Sequence, residues 1–344
     1  IANSLFLKYC LPLFDNGDLD EGSTIYHFIA AQCIFDISFF VEINVLPRVD
    51  KLVFDLERNG FLTPSLFPVI GDVSPDPSMI CVIDDAVKIS RIIERAVDVS
   101  TLADSSLEKV SDYEFFESGD WRWILHTRGK DKHIQHSHND YGSPVLVYKN
   151  LPLIFDVGRT TYVSSDESTD QTLTAFHSAP QLGGVDQNPR RARDLYPNRF
   201  ISPISNDIDE PLDLLVQLFG VNWKAYELVC GKSYQLFQHA VFGGSWSRFF
   251  IVNRKNRKEF VIHDIVDCPQ KCGVQFRYFI PQRIILEALA QYEFILDGEN
   301  TRVKKYQVPC NNFYGQLADA YCMEVSSEPA TKHNLTTYLR IGDE

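Results

Sequence analysis

The chain has 344 residues, a formal net charge of −13 and 44% hydrophobic residues. That length exceeds the roughly 100–200 residues of a typical domain and predicts two domains, or one domain and part of another. The acidic balance argues against non-specific nucleic-acid binding, which needs a basic surface to displace counterions, and no run reaches the roughly 18 uninterrupted apolar residues of a membrane span.

In chain order, the opening "IANSLFLKYC" lacks the basic n-region and apolar h-region of a signal peptide, so none is expected there. From 25 to 98 the patterns are helical. "IYHFIAAQCIFDISFFVEI" is apolar nearly all round, as in a helix packed on several sides. "PRVDKLVFDLERNG" puts Pro47 in a first turn, Val49, Leu52, Val53 and Leu56 on one face, and Gly60 as a stop. "DDAVKISRIIERAVD" repeats that logic with Val87, Ile89, Ile92, Ile93 and Ala96.

After about residue 112 short β-branched and aromatic runs take over, including "WRWILHT", "SPVLVYKN", "LPLIFDVG", "RFFIVN", "EFVIHDIV" and "GVQFRYFI". "NRKNRKE" and the "DGEN" at 297–300 stand where hairpin turns are expected. Many strands divided by turns predict an antiparallel sandwich. The fold class is thus α+β multidomain, with a helical domain over 1–110 and a β-sandwich over 111–344. Residues 178–213 have no clear period and are expected to form a long loop. Trp121 and Trp123 alternate and share a face, which we assign to the core.

Eight cysteines are too sparse over this length for a disulfide framework. "CPQKC" at 268–272 lacks CxxC spacing and a second pair, so packed thiols are the expected state. The basic clusters "RGKDKH" (128–133) and "RRAR" (190–193, starting at Arg190) are either solvated loops or local positive charge for a polyanion.

The stretch "HIQHSHNDYGSPVLVYKNLPLIFDVG" (133–158) holds three of the nine histidines. In a strand His136 and His138 share a face, and in a loop they are free to diverge. Asp156 lies in an apolar run where an ionised carboxylate needs a partner or a metal, and His177 is a third candidate. Imidazole and carboxylate are zinc ligands, and three protein ligands with an open position make a functional zinc site. The plain alternative is surface histidines and an aspartate capping a turn.

These residues also carry a resemblance. "HSHNDYGSPVLVYKNLPLIFDVGRTTYV" followed by "TLTAFHS" resembles the heparinase II/III-like polysaccharide lyases, with their HxHxD, D-x-G-x-x-x-Y and A-H-N-T segments. Upstream, "LPLFDNGDLDEGSTIYHF" (11–28) is similar to the Y-H segment opening a helix of the family's α/α toroid. "FPVIGDVSPDPS" (67–78) resembles the segment that closes the toroid, and "FESGDWRWI" (116–124) resembles the first sandwich strand. The resemblance implies the C-terminal part of an α/α toroid followed by the sandwich. It makes Tyr26 the catalytic tyrosine and His136 a catalytic or substrate-orienting histidine, with Tyr162 a second acid/base or sugar contact. It makes His138, Asp156 and His177 the holders of a structural or site-organising zinc. Glu21, Arg159 and Arg190 are the expected substrate-binding residues, Glu21 having helix capping as its plain alternative.

Ser178 stands where the family pattern has Asn. The family's Asn-His pair has no counterpart in the 25 residues ahead of Tyr26, so the chain is expected to lack an N-terminal portion of the toroid. The implied activity is β-elimination on a uronate-containing acidic polysaccharide. The acidic protein suits a less charged uronate polymer, such as a bacterial exopolysaccharide, better than a heavily sulphated one. Two alternatives stand beside it: a glycan hydrolase using Asp20 and Glu21, and a non-catalytic carbohydrate-binding protein of polysaccharide biosynthesis. Oligomeric state is open, as is the compartment, with a periplasmic or extracellular one leaned to over the cytoplasm.

Overall fold

The computed structural model of the chain describes residues 24, 29, 55–56, 58–61, 113–126, 138–158, 173–184, 201–204, 211–236, 244–296, 302–311 and 317–342. Most of the helical domain expected over 1–110 therefore lies outside the described residues. Within "PRVDKLVFDLERNG", Asp55, Leu56 and Arg58 are helical, Leu56 is buried, and Gly60 follows as the stop with a positive φ of 69°. Phe61 N–H closes that end by donating to the Leu56 carbonyl at 2.8 Å. No helix among the described residues is long and apolar enough to cross a membrane.

From 113 onward the chain builds three sheets whose strand pairs are all antiparallel. The first sheet is a meander of β1 (Tyr113–Ser118), β2 (Trp121–His126), β3 (Pro144–Tyr148) and β4 (Leu151–Ile154). The second combines β5 (Gln181–Leu182), β10 (Val274–Pro281), β12 (Arg302–Asn311) and β13 (Leu317–Ser326), in the order β12-β13-β10-β5. The third has six strands: β6 (Ile201–Ile204), β7 (Tyr226–Leu236), β8 (Gly244–Asn253), β9 (Glu259–Cys272), β11 (Ala290–Leu296) and β14 (Ala330–Ile341). Their order is β11-β14-β9-β8-β7-β6.

One core joins all three sheets. Trp121, Trp123 and Leu146 from the first meet Phe276 and Tyr278 from the second and Phe250, Phe260, Ile262 and Leu339 from the third. Both tryptophans are fully buried, as expected from their alternation, with Trp123 stacked on Phe250 at 5.6 Å. The antiparallel sheets expected after residue 112 are therefore borne out.

Period 2 also explains why "RFFIVN" and "EFVIHDIV" are nearly continuous apolar runs. Phe250 and Val252 face the main core, while Phe249, Ile251 and Val261 face the other way. That second face is covered by α1 (Pro211–Phe219), whose Leu214, Leu215 and Leu218 pack on it. This corrects two expectations: the second half is not strand alone, and the stretch 178–213, expected as one long loop, carries β5 and β6 and ends inside a helix. Pro211 at the start and Gly220 past the end are the usual marks of such a helix.

The turn expected at "NRKNRKE" is present: the Asn253 side-chain oxygen accepts from the N–H groups of Lys255 (3.0 Å) and Asn256 (2.9 Å). The hairpin expected at "DGEN" is not. β11 pairs with β14 in the six-stranded sheet and β12 pairs with β13 in the four-stranded one, so that segment joins two sheets. β11 passes over β12 to pair with the distant β14, while β12 pairs with the strand that follows it, a choice local turn chemistry cannot reveal.

Candidate metal centre

Three loops meet at one end of the first sheet. The chain enters β3 through His138, Asn139, Asp140, Tyr141, Gly142 and Ser143, all buried and none in a strand. The strand option for His138 thus gives way to the loop option. This loop is pinned by Gly142 N–H donating to the His126 carbonyl (3.1 Å), and by Asp140 Oδ1 lying 2.7 Å from His126 Nδ1. Gly142 has a φ of 69°, and a Cβ there would sit 2.6 Å from the Trp246 ring. Only glycine fits that position.

The second loop leaves β4 at Asp156, whose Oδ1 accepts from Gly158 N–H at 2.9 Å. The aspartate caps a turn, and its other oxygen, Oδ2, faces His177 Nδ1 at 2.7 Å. The third loop is a 3-10 turn, Thr174–Phe176, followed by His177, whose N–H donates to the Thr174 carbonyl (3.1 Å). Ser178 N–H then donates to Ser143 Oγ at 3.0 Å, joining the first and third loops.

A buried ion pair underlies them. Arg248 of β8 and Asp264 of β9 are both buried and meet in a fork, Nε to Oδ1 at 2.7 Å and Nη2 to Oδ2 at 3.1 Å. Arg248 Nη1 donates to two carbonyls, Gly142 at 2.9 Å and Ser178 at 2.5 Å. One guanidinium therefore clamps the loops that carry His138 and His177. Trp246 Nε1 (2.9 Å) and Tyr278 OH (3.3 Å) donate to the Asp264 carboxylate, so the pair is hydrogen-bonded on both sides. Burial opposes the charge on Arg248, but Asp264 outweighs it and pushes the guanidinium pKa above its ordinary value.

The product is a cluster of His138, Asp156 and His177, all buried, with one ligand atom from each within 4.8 Å of the others. Two imidazoles and a carboxylate are a zinc donor set, and the fixed orientation of Asp156 by Gly158 is the outer support such ligands need. The hydrogen shared between His177 and Asp156 is one that a metal ion would displace. Asp140 sits close by. Burial alone would raise its pKa, but His126, by charge and hydrogen bond, and then His177 and His138 pull it down to about 2. It is an anion beside three imidazoles.

The family model described as "Heparinase II/III-like, C-terminal" matches residues 104–305, more than half of the chain. The chain belongs to the heparinase II/III-like family. Among solved structures, a crystal structure of heparinase III is similar over 100% of this chain and 57% of its own length, with a TM-score of 0.67 at 10% identity. The BT4657 gene product, a heparinase III with methylated lysines, has a TM-score of 0.63 at 14% identity, covering 100% of this chain and 55% of that one. The heparan sulfate lyase HepC from Pedobacter heparinus has a TM-score of 0.62 at 13% identity with the same coverages. At these identities the likeness shows the fold, and the chain spans little more than half the length of these structures. No curated protein sequence matches it.

Of the residues expected from the heparinase II/III-like pattern, the structure brings together His138, Asp156 and His177. Glu21, Tyr26, His136, Arg159, Tyr162 and Arg190 lie outside the described residues. Ser178, standing where the family pattern has Asn, ties its Oγ to Phe279 N–H (3.3 Å). Sequence reasoning missed His126, Arg248 and Asp264. The signal for His126 was a histidine closing the apolar strand "WRWILH"; Arg248 and Asp264 each interrupt an apolar strand, which reads equally well as a solvent-facing position.

Proposed function

We propose that the protein is a polysaccharide lyase that cleaves a uronate-containing acidic polysaccharide by β-elimination, in a cleft between an α/α toroid portion (1–110) and the sandwich (111–344). The observation that carries this is the buried His138–Asp156–His177 cluster in a heparinase II/III-like domain, because His136 lies two residues ahead of the first ligand. Heparan sulfate lyase activity in a protein of like fold supports the substrate class.

His138, Asp156 and His177 hold zinc in this reading. When bound, the ion supplies fixed positive charge that organises the surrounding loops and favours anionic groups nearby. The chain's own residues do the rest. Glu21, Arg159 and Arg190 bind and orient the sugar, the two arginines meeting its carboxylate as negative charge develops there.

The C5 proton passes to the Tyr26 phenolate, the C4–C5 double bond forms, and the C4–O4 bond breaks with its electron pair leaving on O4. The same phenol then returns a proton to O4, with Tyr162 the second acid/base or a sugar contact. A phenol with an ordinary pKa near 10 needs adjacent positive charge to be the base, and protonated His136 supplies it.

Purified protein incubated with a panel of uronate polymers is expected to generate an unsaturated uronyl end, seen as new ultraviolet absorbance. Tyr26→Phe and His136→Ala should abolish it. Undiminished activity in the double variant would sink the residue roles, and products heavier by one water would replace elimination with hydrolysis.

A further inference from the structure

A second set of metal-ligating side chains converges away from the histidine centre. Cys268 and Cys272 of β9 and His333 of β14 are all buried, with one ligand atom from each within 4.8 Å of the others. The two sulfurs are 3.2 Å apart. An extended strand would hold residues four apart at about 13 Å. The backbone explains the difference. β9 and β14 pair as far as Lys332↔Asp267 and resume at Ala330↔Cys272, so residues 268–271 stand opposite Thr331 alone. Pro269, Gln270 and Lys271 bulge outward and are exposed, which turns the two cysteine side chains inward toward each other.

His333 completes the set from below. Its Nε2 lies 2.9 Å from the Cys272 carbonyl, which can only accept, so the ring proton sits on Nε2 and the lone pair on Nδ1. A ring nitrogen donating to a backbone carbonyl is how proteins orient a metal-binding imidazole. The bulge stands at the corner where the chain leaves the six-stranded sheet for β10. There the Gly273 carbonyl accepts from Gly183 N–H (2.8 Å), and Ser327 Oγ accepts from Val274 N–H (2.9 Å).

We propose that Cys268, Cys272 and His333 form a zinc site, separate from the histidine centre, that staples the β9 bulge to β14 at this corner. Two sulfurs and an imidazole select zinc over the oxygen-seeking magnesium and calcium ions. Three protein ligands leave a fourth position for water. Binding releases the thiol protons to solvent and involves no electron transfer.

The test uses cobalt(II) in place of zinc on the reduced, intact protein. Thiolate ligation gives a sulfur-to-cobalt charge-transfer band in the near ultraviolet, which a centre of two histidines and an aspartate cannot produce. Failure of the histidine centre and failure of this site are therefore told apart. The band is expected in the wild type, unchanged in His138→Ala, and lost together with one metal equivalent in Cys268→Ser/Cys272→Ser. Zinc should also protect two thiols of the unaltered protein from alkylation until a chelator is added. Absence of the band in the reduced wild type, with the same alkylation rate with and without zinc, overturns the proposal. So does a pair isolated as a disulfide that takes up no metal after reduction.

Discussion

The two buried donor clusters are alike in size and differ in what carries them. His138, Asp156 and His177 stand on three loops that have little regular structure of their own; Ser143 ties the first to the third, and the strand side chains His126 and above all Arg248 fix them. Cys268, Cys272 and His333 stand on two paired strands, and a local backbone bulge does the work. A centre meant to meet a ligand needs loops at the edge of the sheet, and loops need a clamp. A centre that only fastens a corner can be built from the ladder itself.

The contrast is broken most forcefully at Arg248. Arg248→Met leaves the Asp264 carboxylate buried without its ion partner and should cost about 3–5 kcal/mol of stability. Denaturant unfolding measures this, and the paired change Arg248→Met/Asp264→Leu should recover much of the loss. If the single variant unfolds like the wild type, the loops are not held by the guanidinium.

A pair of glycine changes sharpens the contrast. Gly142→Ala forces a left-handed backbone on alanine and a Cβ against Trp246, at a cost of about 2–4 kcal/mol. It should weaken zinc retention by the histidine centre and spare the thiolate–cobalt band. Gly244→Ala, whose Cβ would meet the Asp267 carbonyl oxygen at 2.2 Å next to Cys268, should do the reverse. Equal effects of both changes on both centres would mean that the clusters are not independent.

The smallest effect concerns pH, where a carboxylate outside both clusters contributes independently of any metal. Burial alone would raise the Glu259 pKa, but hydrogen bonds from Asn253, Arg340 and Tyr226, with the charge of Arg340, bring it below its ordinary 4.5. Its stabilising contribution is present above pH 4.5 and is lost as pH falls through the lower folded-state value. Glu259→Gln should therefore flatten part of the acid limb of the unfolding curve measured with chelator present. An unchanged limb would assign all of the acid loss to other groups.

How legible each cluster is in the sequence follows from the same difference. The histidine centre is announced by short local patterns: "HSHND", the "DVG" in which Asp156 caps Gly158, and "AFHS". The strands are legible because β-branched and aromatic runs alternate between turn residues, and Trp121 and Trp123 fall in the core as their spacing requires. The thiol cluster is not legible, since "CPQKC" has no zinc-like spacing and its third donor stands 61 residues beyond Cys272. Arg248 is hidden for another reason: a charge in a strand ordinarily marks a solvated face, and its burial depends on Asp264 in the neighbouring strand. The crossing of "DGEN" between sheets is likewise a matter of pairing, since β11 finds its partner in the distant β14 and β12 in the following β13. Local chemistry is written locally, and pairing is not.

The most direct test of the account is the zinc content of the wild type against His138→Ala, measured by elemental mass spectrometry on protein whose fold is checked by circular dichroism. Loss of one zinc equivalent in the folded variant, with the thiolate–cobalt band intact, is the result predicted. Full zinc content in the folded His138→Ala protein would contradict the assignment of His138, Asp156 and His177 as a metal centre, and with it the proposed organisation of the catalytic cleft.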